Sequence, residues 1–201
     1  MNSFEEQTMS QTVIELIFKV ILNEREIIQN QYITDRYAYI ENGGKKALFL
    51  PKKKKQYLID TEIEQLKEID LSAQTMQVNQ IKSMIGEINA TLINDTTSCN
   101  VNYKQFHLSN TDTYPIKFNA EIHVSEYPGL DKTIYHEFNA FQADSQLFKI
   151  DLKSNEIVSY LESVLSINGK EQKSIIELVS IITKTKTINE IDTYLGWVEK
   201  P

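Results

Sequence analysis

The sequence predicts an α+β fold. Three observations carry that prediction: strand-like and helix-like patterns come in blocks instead of alternating, an Asn-Gly pair sits between two short aromatic or apolar runs, and apolar residues recur at helical spacing on either side. The expected order is an N-terminal helix and β-hairpin, a long helix, an antiparallel β-meander and C-terminal helices.

Thr12 and Glu15 have the spacing of a capping box, and Val13, Leu16, Ile17, Val20 and Ile21 follow at helical intervals, so a first helix is expected to about Gln29. Residues 37–40 and 47–50 flank Asn42-Gly43-Gly44, which supplies the positive backbone angles of a tight hairpin turn. Pro51 ends the second strand by removing a ladder donor, and four lysines follow it. Residues 57–59 could add a short strand. Thr61 and Glu64 make a second capping box, and the apolar stripe from Ile63 through Ile69, Met76, Ile81, Ile85 and Leu92 predicts one long helix, or two meeting near Leu71.

Residues 94–102 are rich in Asn, Asp, Thr and Ser, which favours turns. We read the chain as a single α+β domain over 1–201 with a sub-boundary near 94–102, dividing a helix/hairpin/helix part (1–93) from the meander and C-terminal helices (103–201). The strands of the meander are expected at 101–108, 117–125, 133–141 and 147–152, with Pro128-Gly129 as a turn. Asn155 would open a helix closed by Asn168-Gly169, residues 170–182 would form another, and Thr187 with Glu190 would cap the last, ending near Gly196.

The formal charge of −7 opposes general affinity for nucleic acid or an anionic membrane. It is unevenly spread: residues 1–60 hold nine Lys/Arg against eight Asp/Glu, whereas residues 61–201 hold twelve against twenty. Arg36, Lys45, Lys46, Lys52, Lys53, Lys54 and Lys55 form a local basic island suited to diffuse attraction of an anionic partner. Lysine lacks the planar fork that reads bases and phosphates bidentately. Tyr37, Tyr39, Phe49 and Tyr57 beside these lysines suit either base stacking or the underside of the hairpin, and strand alternation favours the underside.

Catalytic signatures are missing. Gly43-Gly44 lacks the remainder of a phosphate-binding loop, no Gly-x-Ser-x-Gly elbow occurs, and Cys99, the single cysteine, has no histidine near it in sequence. One cysteine also rules out an internal disulfide and a multi-thiolate zinc site. His136-Glu137 begins like a zincin motif, but position 140 is Ala where the second ligand should stand. The remaining cluster is Glu121, His123 and His136. A two-residue turn at Pro128-Gly129 would set Glu121 opposite His136 with His123 beside them, a possible divalent-metal or acid–base site. A loop longer by one residue would set Glu121 opposite Glu137 and send His136 to the other surface. Asp112, Asp131, Asp144 and Asp151 offer scattered carboxylates without a recurring motif.

These readings lead to the expectation of a cytoplasmic, non-enzymatic binding or regulatory protein without a cofactor. Its acidic surface would meet a protein partner, a basic one by charge complementarity, as inhibitors and immunity proteins do. The alternatives are a nucleic-acid-binding accessory protein using the lysine-rich hairpin and a metal-dependent hydrolase built on the Glu121, His123 and His136 cluster. The segment 13–22 is interrupted by Glu15 and Lys19 and follows an acidic stretch, so neither a signal peptide nor a membrane span is expected there.

Overall fold

The computed structural model of the chain describes residues 11–98, 101–111, 114–143, 146–186 and 189–198. Its main feature corrects the α+β expectation: among the described residues eleven antiparallel strands form one sheet, accompanied by three α-helices and two short 3₁₀ turns. The strands are β1 (Gln11–Leu22), β2 (Arg25–Ile33), β3 (Ala38–Asn42), β4 (Lys45–Leu50), β5 (Lys55–Asp60), β6 (Gln65–Glu68), β7 (Ile88–Ser98), β8 (Val101–Asn110), β9 (Ile116–Glu126), β10 (Glu156–Ile167) and β11 (Lys170–Lys186). The helices are α1 (Ser72–Ile85), α2 (Tyr135–Gln142) and α3 (Asn189–Val198). Strand order is β6-β5-β4-β3-β2-β1-β11-β10-β9-β8-β7, so two meanders meet where β1 pairs with β11.

The expected N-terminal helix is the β1–β2 hairpin. Asn23 and Glu24 both take positive φ, 47° and 71°, and pair Leu22 with Arg25 across a two-residue turn. The hairpin at Gly43-Gly44 forms as β3 and β4, with both glycines at positive φ and Asn42 paired to Lys45. The long helix expected over 61–92 is limited to α1. Residues 65–68 are the edge strand β6, and residues 88–98 are β7 at the other edge. The polar stretch 94–102 is paired strand on either side of residues 99 and 100, with Ser98 opposite Val101. Cys99, Asp112 and Asp144 lie outside the described residues.

In the second meander, β8 and β9 fall where strands were expected, while most of the strand expected over 133–141 is α2 and residues 147–152 carry no ladder. The two helices expected over 155–182 are β10 and β11, joined at Asn168-Gly169 with φ 51° and 76°. That turn has the same left-handed residues as a helix C-cap, so the sequence serves both. The spacing was misleading for a second reason. An extra residue, Ser159, lies between Val158 and Tyr160 in β10, and another, Val179, between Leu178 and Ser180 in β11. Each bulge turns a two-residue step into a three-residue step, so Val158 and Leu161, like Leu178 and Ile181, share a face at helical spacing.

Alternation along β9 shows how the sheet is packed. Ile116, Phe118, Ala120, Ile122 and Val124 are buried on its inner face, while Asn119 and Glu121 are exposed on the other. Over this half, α1 lies on the inner face through Ile81 and Ile85. Asn110 fixes its end: Nδ2 donates to the carbonyls of Ile85 and Ile116, and Oδ1 accepts from the Phe118 amide. Over the other half, α2 covers the inner face, where Phe138 and Phe141 meet Phe49 at ring separations of 5.4 and 5.0 Å. Helix α3 covers the outer face there, with Tyr194 stacked on Tyr39 at 6.2 Å. Tyr37, Tyr39 and Phe49 are accordingly buried.

Gly86 links α1 to β7 at φ 75° and ψ −152°, a region open essentially to glycine alone, and a Cβ there would overlap the Tyr114 ring. Gly86→Ala is expected to lower unfolding free energy by about 2 kcal/mol in urea titration. Adding Tyr114→Ala should restore little of that loss, because the ring stands on a partly exposed, movable side chain and the backbone strain persists. Recovery of full stability in the double variant would refute the strain account.

Candidate functional site

The sheet's inner face is covered by α1 on one side and α2 on the other, and the central strands between them are roofed by residues 146–152. This leaves a cavity of about 680 Å³. Its floor is Phe18 and Val20 of β1, Ile176 of β11, and Val158 and Leu161 of β10. Leu147, Phe148, Ile150 and Leu152 line it from the roofing segment, and Phe148 packs on Phe118 at 5.7 Å. Such a volume with a largely apolar lining is usual for small-molecule sites, about 300–1,000 Å³.

Helix α2 forms the remaining wall and is anchored at both ends. The Ile134 amide donates to the Thr34 carbonyl at 3.0 Å, and Gln142 Nε2 donates to Gln56 Oε1 at 3.2 Å. Thr34 is itself buried and caps its own turn through Oγ1, which accepts from the Arg36 and Tyr37 amides and donates to the Tyr37 carbonyl. The full burial of Tyr135 pushes its phenol up to about 12, so it stays neutral. Two side-chain atoms of residues that line it, Gln31 Oε1 and His136 Nε2, are themselves fully buried and have no hydrogen-bond partner among the described residues. Among the described residues, the charged side chains that line it are Lys149 and Asp151, which stand exposed at the rim and pair with each other at 3.6 Å.

The Glu121, His123 and His136 cluster is divided between the two faces. Pro128-Gly129 leads into a 3₁₀ turn, Leu130–Lys132, and then α2, so neither register of a β9 hairpin exists. Glu121 and His123 share the outer face, where His123 Nε2 lies 2.6 Å from Glu121 Oε1 and Gln105 donates to the same oxygen at 2.9 Å. His136 lines the cavity on the inner side. His107, which sequence reasoning passed over, stands opposite Glu121 in the ladder. Even so, among the described residues no group of three His, Cys, Asp or Glu side chains converges to hold a metal ion.

The basic island is divided as well. Lys45 and Lys46 begin β4, at the turn end of the hairpin, whereas Arg36 and Lys52, Lys53, Lys54 and Lys55 lie at its opposite end. Lys46 faces Glu41 at 3.8 Å and Tyr194 Oη at 3.5 Å, and Lys55 pairs with Glu68 at 2.6 Å. A continuous phosphate-contacting arm does not result. Both alternatives, the nucleic-acid arm and the metal hydrolase, therefore lose the arrangement they required.

No protein-family model matches the sequence, and no curated protein matches it. Among solved structures, the chain is similar to PNGF-II at 12% identity and a TM-score of 0.43, over 93% of this chain and 30% of that one. It thus spans about a third of the length of PNGF-II. It is also similar to an outer membrane lipoprotein-sorting protein domain from Vibrio parahaemolyticus, at 8% identity and a TM-score of 0.35, over 97% and 93% of the two chains. A DUF1329 family protein from Desulfovibrio piger is similar at 8% and 0.34, over 88% and 87%. The expectation of a cytoplasmic inhibitor or regulator is not upheld by these likenesses, two of which are to a lipoprotein-sorting protein domain and a DUF1329 family protein. At these identities and TM-scores they assign the chain no activity, ligand or location. Among the described residues, no helix is long and apolar enough to cross a membrane.

One ion pair borders the roofing segment. Glu156 is buried at 2% exposure, accepting from Lys104 Nζ at 2.6 Å and from the Lys153 amide at 2.8 Å. Burial by itself would raise its pKa, but these bonds outweigh burial and hold the carboxyl below its ordinary value. A depressed folded value means the pair stabilises fully above the ordinary carboxylate range and ceases to do so as pH falls through the lowered value. Glu156→Gln is expected to cost about 3 kcal/mol at pH 7 and progressively less under acid conditions, as followed by urea unfolding across pH. An equal cost at pH 7 and pH 2 would contradict this assignment.

Proposed function

We propose that the protein binds an apolar small molecule, with the cavity between the central strands and the α2 wall as its site. The observation that carries this reading is the cavity itself: about 680 Å³, floored by Phe18, Val20, Leu161 and Ile176, with the charged side chains among its described lining residues, Lys149 and Asp151, at the rim. Transfer of an alkyl chain from water into such a lining is favourable by about 0.8 kcal/mol per methylene. Specificity for length follows from the finite volume of about 680 Å³, because methylenes beyond the cavity mouth stay in water. The anchoring of α2 at Thr34 and Gln56 keeps that wall fixed in the absence of any occupant.

Displacement of bound Nile red by a series of straight-chain 1-alkanols provides the test. Affinity is expected to rise about four-fold per methylene until the cavity is filled, and then to level off. Leu161→Trp, which fills the floor without burying a charge, should reduce the affinity of the longest alkanols more than ten-fold while far-UV circular dichroism is unchanged. Affinity that ignores chain length, or a Leu161→Trp variant that binds like the native chain, would exclude the cavity as the site.

A further inference from the structure

The two edges of the sheet differ in how they are protected. An edge strand turns the N–H and C=O groups of alternate residues outward, where a further strand can bond them. The β6 edge is guarded: it is four residues long, it carries Lys67 and Glu68, and Glu68 is tied to Lys55 at 2.6 Å. The β7 edge runs for eleven residues, and Asp95 is its single charge. It contains neither lysine nor proline, the residues that commonly deter edge pairing. Among the described residues it has a neighbour, β8, on one side only, and residues 89–97 are exposed.

The first five residues of β7 make a regular pairing segment. Ile88, Ala90 and Leu92 stand opposite Asn110, Leu108 and Phe106 and so share the inner face, while Asn89 and Thr91 alternate onto the outer one. Leu92 is 50% exposed. Ile93 is an extra residue in the ladder between Leu92 and Asn94, and such a bulge bends the second half of the strand away from the line of the first. Residues 88–92 are therefore an uncharged segment bounded by the bulge at one end and the Gly86 turn at the other. Antiparallel pairing with an identical segment about a dyad at Ala90 is self-complementary. Ile88 of each copy meets Leu92 of the other, Ala90 meets its own counterpart, and Asn89 meets Thr91, all on matching faces. Asp95 lies beyond the paired residues, whereas a dyad at Asp95 would oppose like charges.

We infer that the β7 edge is an interaction surface for a second copy of this chain, the two sheets joining antiparallel through residues 88–92 around Ala90. The outward backbone groups require an extended strand as occupant, and the match of apolar to apolar and polar to polar side chains selects the same segment of another copy. Five paired residues on each side make a small interface, so the dimer forms in a concentration-dependent manner.

Sedimentation velocity of the full chain from about 10 to about 500 µM provides the test. The native chain is expected to pass from a 23.3 kDa monomer to twice that mass as concentration rises. Leu92→Lys, which places a charge from each copy in the joint, should raise the dissociation constant about ten-fold. Val179→Lys, at a residue of β11 that is 58% exposed, should leave it unchanged. Should Leu92→Lys fail to fold, Leu92→Thr keeps a good strand former and is expected to weaken association in the same direction. A second measurement fixes the register. In a Cys99→Ser background, Ala90→Cys should form a covalent dimer under mild oxidation about ten-fold faster than Thr96→Cys, because a residue on the dyad meets its own copy within disulfide reach and residue 96 does not. A chain that stays monomeric throughout the range, a dimer indifferent to Leu92→Lys, or equal cross-linking at positions 90 and 96 would overturn the inference.

Discussion

Strand β1 hydrogen-bonds to β11 from Gln11 opposite Lys186 to Leu22 opposite Ser174, and this ladder joins the first strand to the last. Without it the molecule is two separate meanders, β1–β6 and β7–β11, each presenting a long open edge. With it, Val20 meets Ile176 and Phe18 meets Leu178 at the middle of the sheet, and the floor of the cavity is made. Such pairing closes nearly the whole chain length, so its loop-closure entropy must be met by the apolar contacts it creates. The apolar character of β1, with Val13, Ile14, Leu16 and Phe18 all buried, fits that requirement.

The cavity follows from how the inner face is covered. Helix α1 shields the β9 side and α2 the β3–β4 side, each held by a specific polar clamp, Asn110 for one and Thr34 with Gln56 for the other. The strands at the junction lie under neither helix, and the irregular segment 146–152 supplies four apolar side chains above them. A loop roof leaves more space than a packed helix. Gln31 is the polar exception at its level of the inner face, where its cross-strand neighbours, Leu16 and Ile40, are hydrocarbon.

The outer face of the C-terminal half has another character. It carries Tyr103, His123 and Tyr160 in ring contact, with Glu162 between Tyr160 Oη and Lys173 Nζ at 2.6 Å from each. The hydrogen bond to Glu162, with lesser help from burial, pushes the Tyr160 phenol up to about 12. Elsewhere on this face Lys184 pairs with Glu15, and Lys19 with Glu26 at 3.1 Å. Many of the charges that gave the sequence its acidic and basic regions are engaged with neighbours across strands, where exposed pairs contribute little to stability and present no single-sign surface. The net −7 is therefore a poor guide to a partner.

What the sequence determined by itself is local: the Gly43-Gly44 hairpin, the strands β8 and β9 with their two-residue alternation, the existence of α3, and the missing catalytic motifs. Each depends on chemistry within a few residues of itself. The character of 12–29 and 155–182 was decided by tertiary structure, because both hold apolar residues on two faces and are shifted by bulges or turns, which imitates a helical stripe. Asn23-Glu24 and Asn168-Gly169 take the left-handed conformation equally at a hairpin turn and at a helix end, and only the availability of a partner strand chooses between them. The cavity was illegible for the same reason. Phe18, Gln31, His136, Phe148, Leu161 and Ile176 come from six separate segments, and nothing short of the β1–β11 ladder and the docking of α2 brings them together.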